Sequence, residues 1–362
     1  MIKNMHRQIF AFLIILLVLS HIVFVSSSSA QEKRFEIYGY SQIDFSASNS
    51  SGSISGFNQR RINLIGEFFL DQKIRVLSDI EFKGGTDITP NDPNSVGTVK
   101  VSRAWMEYSV SSELKIRAGK MITPFGLYNL IHDASASYFA VDPPLLYSDI
   151  KLSPSLQPNR LFAKYYTGVE FLGTLDLDKE GSQLEYSVGI GNGRGLSITG
   201  DDLNNNRSVS ARIMYRPSLL RGFQIGSSFY TDRNYDGIGG VKNDLEYAYG
   251  IDLQYEDSEM QIQAEGLASS YKIINGDRIT TGISYIQIAY TFFDVLTPFV
   301  NYSIVLADLS NNNSMFSRFN LGLNYAISPN LFLKTEIQFH QSEEEFSENS
   351  FNVFKISAAI AF

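Results

Sequence analysis

The chain has 362 residues and a formal net charge of -8, with no Cys, one Trp, 20 Tyr and 26 Phe. The lack of Cys excludes disulfide scaffolds, Cys–zinc sites, Fe–S clusters and thiol nucleophiles. The acidic balance argues against a nucleic-acid partner, which needs a basic footprint, and 19% charged with 13% aromatic residues is too apolar a mixture for a disordered chain.

Residues 1–30 read as a cleavable secretory signal. Lys3, His6 and Arg7 form a basic start, Ile9 to Leu19 is apolar, and Ser28-Ser29-Ala30 closes a run of small residues in the manner of a cleavage site. Residues 31–362 are then the exported chain. No later run approaches the ~18 apolar residues of a membrane helix. Entry into a membrane would therefore require a closed barrel, which leaves no strand edge unpaired.

From Phe35 onward the dominant period is two. It predicts strands over 35–46, 59–70, 73–84, 98–110, 113–121, 163–175, 183–191, 207–216, 222–233, 244–256, 259–271, 279–292, 297–308, 316–327, 330–341 and 351–362. Leu245, Tyr247, Tyr249, Ile251, Leu253 and Tyr255, for example, alternate with Glu246, Ala248, Gly250, Asp252 and Gln254. Most of these runs reach the ~9–11 residues of a tilted membrane strand, whereas soluble strands average ~5–6.

The connections alternate in length. Tight turns are expected at 71–72, 111–112, 178–181, 216–221, 257–258, 294–296 and 328–330. Long polar loops are expected near 47–58, 85–97, 122–162, 192–206, 234–243, 272–278, 309–315 and 342–350. Short turns on one side and long loops on the other is the arrangement of an outer-membrane barrel, with both termini on the short-turn side. The expected fold is all-β, a 16-stranded antiparallel transmembrane barrel. A soluble sandwich or propeller would use shorter strands and less regular connections.

Within this frame the polar-facing positions of the early strands carry Arg61, Arg75, Arg103, Lys115 and Arg117, interleaved with Glu67, Asp79, Glu81 and Glu107. Later strands carry Glu185, Glu246, Asp252, Glu265 and Glu336, with Arg212, Lys334 and Lys355. Two readings stay open: a transverse field between a basic and an acidic wall, or a network of paired charges.

The longest connection, 122–162, contains Pro124, Pro143, Pro144, Pro154 and Pro158, so it cannot pair as a strand throughout. It also carries Leu127, Tyr128, Leu130, Ile131, Tyr138, Phe139, Leu145, Leu146 and Tyr147, too much apolar content for a water-exposed loop of that length. It is expected to fold into the barrel and narrow it, bringing Asp133, Asp142, Asp149, Lys151 and Arg160 nearest to passing solutes. An external lid is the alternative.

Sites for chemistry are sparse. His132 and His340 are the histidines of the exported chain, and each reads as a polar lining residue rather than the base of a barrel hydrolase. Gly189 to Gly195 lacks the spacing of a phosphate-binding glycine loop, so no cofactor is expected. Asp232, Asn234 and Asp236, followed by Gly237, fit the start of a calcium loop, but position twelve is Asn243 and helices are absent. A solvated hairpin tip is the expectation there and for the Asn-rich runs 201–206 and 308–313; calcium remains the alternative at 232–236.

Three stretches resemble the outer-membrane porin family that includes the phosphate-selective porins O and P and the dicarboxylate-uptake porins. They are Arg103-Ala104-Trp105-Met106-Glu107-Tyr108 with Ile116-Arg117-Ala118-Gly119-Lys120, then Thr123-Pro124-Phe125-Gly126-Leu127-Tyr128-Asn129, then Tyr186 to Gly193. The terminal Phe362, in step with Phe354, Ile356, Ala358 and Ile360, resembles the barrel-assembly signal of such proteins. The resemblance implies a passive channel for small hydrophilic, including anionic, solutes in the outer membrane of a Gram-negative bacterium. It further implies contact with outer-membrane lipids and the barrel-assembly machinery, and a homotrimer. No Lys cluster is evident, so phosphate selectivity is not implied. The expected function is non-enzymatic diffusion; a non-conducting structural or surface-attachment barrel is the rival, and a barrel hydrolase a third possibility.

Overall fold

A computed structural model describes residues 34–50, 53, 55–84, 97–131, 135–147, 161–193, 206–233, 244–272, 277–309, 311–343 and 350–362. The signal assigned to 1–30 lies outside them. The period-two segments form sixteen strands: β1 Arg34–Ser48, β2 Gly56–Phe69, β3 Ile74–Lys83, β4 Thr98–Ser109, β5 Lys115–Ile122, β6 Tyr165–Asp176, β7 Gln183–Asn192 and β8 Arg207–Arg216. The second half comprises β9 Phe223–Arg233, β10 Leu245–Glu256, β11 Met260–Lys272, β12 Arg278–Tyr290, β13 Leu296–Asp308, β14 Asn311–Ser328, β15 Leu331–Ser342 and β16 Phe351–Ala361. Each strand pairs with its sequence neighbours, and β1 pairs with β16, so the sheet closes into an antiparallel barrel. Closure gives the backbone N–H and C=O groups of the ladder partners without help from solvent, the condition for a sheet to survive in lipid.

The outward positions are apolar. Met106, Ile213, Ile251, Ile286, Val300, Leu321 and Ile356 are all exposed. An apolar surface running around the whole wall is incompatible with water and matches a lipid belt. Alternate positions point inward, where Asn63, Asp79, Glu107, Arg212, Asp252, Gln287, Asn320 and Glu336 are buried.

The seam is closed by the last residue. Gly39 N–H donates to the Phe362 carbonyl at 2.8 Å, and Phe362 N–H donates to the Gly39 carbonyl at 3.0 Å. The Phe362 ring lies over Gly39; a Cβ there would stand 2.9 Å from the ring and 2.2 Å from the Asn63 carbonyl oxygen. Glycine is therefore required at this close approach.

The turns between β2 and β3, β4 and β5, and every later even-to-odd pair are short. At the β10–β11 turn the Asp257 carboxylate accepts from the N–H groups of Met260 (2.8 Å) and Glu259 (2.9 Å) and from the Tyr255 hydroxyl (2.8 Å). These donors hold it below the usual carboxylate range. At the β12–β13 turn, Phe293 and Asp294 both have positive φ (55° and 61°). Two consecutive left-handed residues match the twist of a tight hairpin, even though a bulky Phe resists that conformation.

One connection departs from expectation. The polar stretch 309–315 is mostly strand: Asn311 begins β14, and Asp308 pairs with Asn311. Residues 311–313 are thus strand rather than loop. The ladder continues past the apolar belt because pairing satisfies backbone groups that a loop would leave to water, overriding the low strand propensity of Asn. A register shift between Leu306 and Asp308 accommodates the extension.

Candidate functional site in the barrel lumen

The connection between β5 and β6 enters the lumen. It leaves β5 with Thr123 donating twice across its own stem, its N–H to the Lys164 carbonyl at 3.0 Å and its hydroxyl to the Ala163 carbonyl. Gly126 adopts φ +68°, and its N–H donates to Ser228 Oγ of β9 at 3.0 Å. A Cβ at Gly126 would fall 2.2 Å from Tyr147 Oη and 2.5 Å from Glu265 Oε2, so both the backbone and the crowding demand glycine. A single turn, α1 (Tyr128–Ile131), follows.

Glu265 of β11 is the first anchor. It accepts from Tyr128 N–H (2.6 Å), the Tyr147 hydroxyl (2.6 Å) and the Tyr285 hydroxyl (2.7 Å). Around it Tyr128 stacks on Tyr147 with ring centroids 5.1 Å apart, and Phe125 on Phe162 at 4.4 Å. Phe125, Leu145, Leu146, Leu161 and Phe162 pack with Tyr230, Ala248, Leu267, Ile283, Val305 and Phe316 of the wall. This buried apolar contact explains why the loop could not remain in water.

Asp142 is the second anchor. Arg60 of β2 donates to it at 2.6 Å and to the Val141 carbonyl at 3.0 Å. Gln338 of β15 donates at 2.8 Å, and Lys355 of β16 pairs with it at 2.5 Å. Val141 N–H donates to Glu336 at 2.9 Å. Lys334, fully buried, donates to the Tyr138 and Ala140 carbonyls and lies 4.5 Å from the Tyr138 ring centroid. Arg318 of β14, also fully buried, donates to the Pro143 carbonyl. The named anchors fall on β9, β11, β14–β16 and β2.

The expected site residues sort into two groups. Asp142 lies in the inward loop but is buried in its clamp, so it holds the loop rather than meeting solutes. Asp133, Asp149, Lys151, Arg160 and His132 lie outside the described residues, as do Asn234 and Asp236. Asp232, at the end of β9, is buried and accepts from the Tyr230 hydroxyl at 3.1 Å and from Arg233 N–H at 2.7 Å. Among the described residues no acidic or His cluster suits a metal. His340 is buried, stacked on Phe351 at 4.3 Å, with Nε2 3.0 Å from Gln338 Oε1.

On the opposite wall, the early-strand charges form a ladder of ion pairs. Arg75 meets Glu67 at 2.9 Å and Glu107 at 3.6 Å. Arg117 meets Glu107 at 2.6 Å and Glu170 at 3.0 Å. Arg103 meets Asp79 at 3.0 Å, and Lys100 meets Glu81 at 3.1 Å. Arg61 is buried on β2, and Lys115 opens β5. In the later strands Arg212 pairs with Asp252. Of the two open readings, the paired network describes these charges. The Arg75, Lys100, Arg103 and Arg117 side chains still keep 19–33% of their surface exposed, against 0% for whole Arg318 and Lys334. The paired cations of β3–β5 are thus more open than the two that hold the loop from β14 and β15.

Alternation does not reveal one feature of this wall. Tyr40, Ile65, Leu77, Trp105, Met121 and Tyr166 point inward and form an apolar cluster. Arg75 and Arg117 lie over Trp105, with guanidinium carbons 4.9 and 4.3 Å from its ring centroid. Stacking on an indole stabilises a partly desolvated guanidinium, which explains why large apolar groups sit among charges. A register shift between Asp79 and Ile80 bends β4 here. Ser102 reaches Glu81 and Arg103 reaches Asp79, so two consecutive residues share the inner face.

No protein-family model and no curated protein match the sequence. Solved structures match the fold. The anion-selective porin of Comamonas acidovorans aligns with a TM-score of 0.64 at 12% identity, covering 91% of this chain and 100% of that one. The outer-membrane channel DcaP of Acinetobacter baumannii gives 0.61 at 10%, covering 93% and 99%. The trimer form of OmpT, an outer membrane protein of Vibrio cholerae, gives 0.59 at 10%, covering 91% and 99%. The architecture is that of Gram-negative outer-membrane barrels.

Proposed function

We propose that this barrel is a porin, a passive diffusion channel of the outer membrane for small hydrophilic solutes, exported by its first thirty residues. The observation that carries the reading is the division of the lumen. The inward loop is tied to β9–β16 and β2, while the sector opposite presents partly exposed, ion-paired guanidinium groups. Such a wall offers water-like solvation to polar solutes and little to apolar ones. Arg75, Arg103 and Arg117 are the residues that would bias passage toward anions, and a homotrimer is the expected assembly.

The likeness of 103–129 to the phosphate-selective and dicarboxylate-uptake group supports a place beside that group. It does not extend to phosphate selectivity, because carboxylates already pair with Arg75, Lys100, Arg103 and Arg117. Planar-bilayer recording tests the reading: ohmic single-channel conductance with reversal potentials favouring chloride is expected. A folded barrel that inserts and carries no current would establish the non-conducting alternative.

A further inference from the structure

On the outer face of β8–β12 the cross-strand pairs lead up to a row of cations. Val209 of β8 pairs with Thr231 of β9, so Arg207 and Arg233, two residues further along their strands, share the next outward row. Arg233 pairs with Leu245 of β10. Tyr247 pairs with Ser270 of β11, which sets Lys272 opposite Leu245, and Lys272 pairs with Arg278 of β12. Arg207, Arg233, Leu245, Lys272 and Arg278 thus form one line, and all five are exposed. Below it the same face carries Ile213, Tyr249, Ile251 and Ile286, exposed members of the apolar belt. The line stands where these strands meet the long connections, the outward side of an outer-membrane barrel. Neighbouring strands lie about 4.8 Å apart, so the four cations span about 19 Å.

Two carboxylates stand beside the row. Asp244 pairs with Arg278, and Asp277 is exposed next to Arg278 in the chain. Four cations against these two acids leave a positive excess. Arg278 also lies 5.5 Å from the Tyr247 ring centroid, and Tyr247 is in step with exposed Tyr249, so this guanidinium is held on the outer side of the wall. The rim is different elsewhere: outward positions at the same end of β4, β15 and β16 carry Val99, Gln341 and Asn352. A free anion in water has no use for the apolar wall beneath the row, and an uncharged lipid has none for the cations. The two together fit an amphiphile with an anionic head. Guanidinium groups match phosphate oxygens in bidentate fashion, and a row about 19 Å long exceeds what one phosphate occupies. We propose that this face of β8–β12 docks a lipid of the outward leaflet that carries more than one phosphate in its headgroup, its phosphates along the row and its acyl chains against Tyr249 and Ile251. The site goes beyond the channel reading: it needs the barrel in its membrane, not current through it.

The test is native mass spectrometry of the folded, detergent-solubilised full barrel, titrated with diphosphoryl lipid A, monophosphoryl lipid A and phosphatidylcholine, with inorganic phosphate as a soluble competitor. Saturable binding is expected in the order diphosphoryl, monophosphoryl, phosphatidylcholine, with millimolar phosphate competing weakly. A cation at an anionic headgroup is worth about fivefold in affinity. Changing Arg207, Arg233, Lys272 and Arg278 together to Gln should therefore raise the apparent Kd for the diphosphoryl lipid roughly a hundredfold or more. Heat-modifiable mobility verifies folding; if the fourfold variant does not fold, the pair Lys272→Gln and Arg278→Gln is read alone, at about twenty-five-fold. Changing Arg34, Lys73, Lys179 and Arg221, exposed at the short-turn end, to Gln removes the same charge and should leave the Kd as it was. An unchanged Kd in the row variant, an equal loss in the short-turn variant, or phosphatidylcholine bound as tightly as the diphosphoryl lipid would overturn the site. Full displacement by inorganic phosphate would make the row a free-anion site and overturn the lipid, and equal affinity for the two forms of lipid A would overturn the requirement for a second phosphate. Bilayer recording on the same preparations keeps the two readings apart: ohmic current without selective lipid binding removes the docking surface and leaves the channel, whereas binding without current does the reverse.

Discussion

Replacing Asp142 by Ala should loosen the inward loop while leaving the barrel closed. The Asp142 carboxylate draws together Arg60, Gln338 and Lys355, from three strands. Removing one member of a buried charge cluster costs about 3–5 kcal/mol, because the partners stay buried without compensation. Here the side chains of Asp142, Arg60 and Lys355 retain 12%, 17% and 19% of their surface exposed, so the lower end, about 3 kcal/mol, is the better value. At ~1.4 kcal/mol per decade, the undocked fraction of the segment should rise about a hundredfold. Hydrogen exchange followed by mass spectrometry reads this directly, since Val141 N–H is bonded to Glu336 only while the loop is docked. Exchange across 138–146 should accelerate about a hundredfold in Asp142→Ala, with β14–β16 unchanged and single-channel current noisier. Protection at Val141 equal to wild type would show that Lys334, Arg318 and the apolar contacts hold the segment alone, and the reasoning would fail.

Deleting Phe362 removes both seam hydrogen bonds to Gly39 and the ring over it; the amount of heat-modifiable barrel in membranes should collapse while synthesis continues. Changing Arg75, Arg103 and Arg117 together to Ser removes three positive charges that pair with Glu67, Asp79, Glu107 and Glu170, so the reversal potential in a salt gradient should move toward cations, the more so at low ionic strength; an unmoved potential would place these groups away from the current path. Asp257 has a depressed pKa in the folded state, so its contribution is complete above the unfolded carboxylate value of about 3.9 and is lost as pH falls below it. Urea unfolding should therefore show a stability loss on acidification through that window that is smaller in Asp257→Asn, and identical acid sensitivity of the two proteins would refute the assignment.

The wall was legible in the sequence because one physical rule, apolar outward and polar inward at period two, governs nearly every strand. The inward loop was legible for a related reason: its prolines forbid pairing, while Tyr128, Tyr138, Leu145 and Leu146 demand burial. The rule fails where the interior is not simply wet. Trp105, Leu77 and Ile65 face inward because guanidinium groups and neighbouring rings cover them, a compensation that depends on side chains far apart in the chain. The roles of Arg318 and Lys334 were hidden likewise, since their acceptors are backbone carbonyls of the loop and carry no residue signature. The stretch 309–315 misled because Asn-rich composition reports local preference, and the ladder overrode it.

The clamp on Asp142 also dictates an order of events. Arg60 lies near the start of the barrel and Lys355 near its end, so the clamp cannot form until the first and last strands have met. Docking of the segment is therefore a late step, taken by an already closed cylinder, and it records that closure has happened. Pulse-labelled assembly intermediates should show 138–146 exchanging freely until the pairing of β1 with β16 is complete; protection of the loop in an open intermediate would reverse that order.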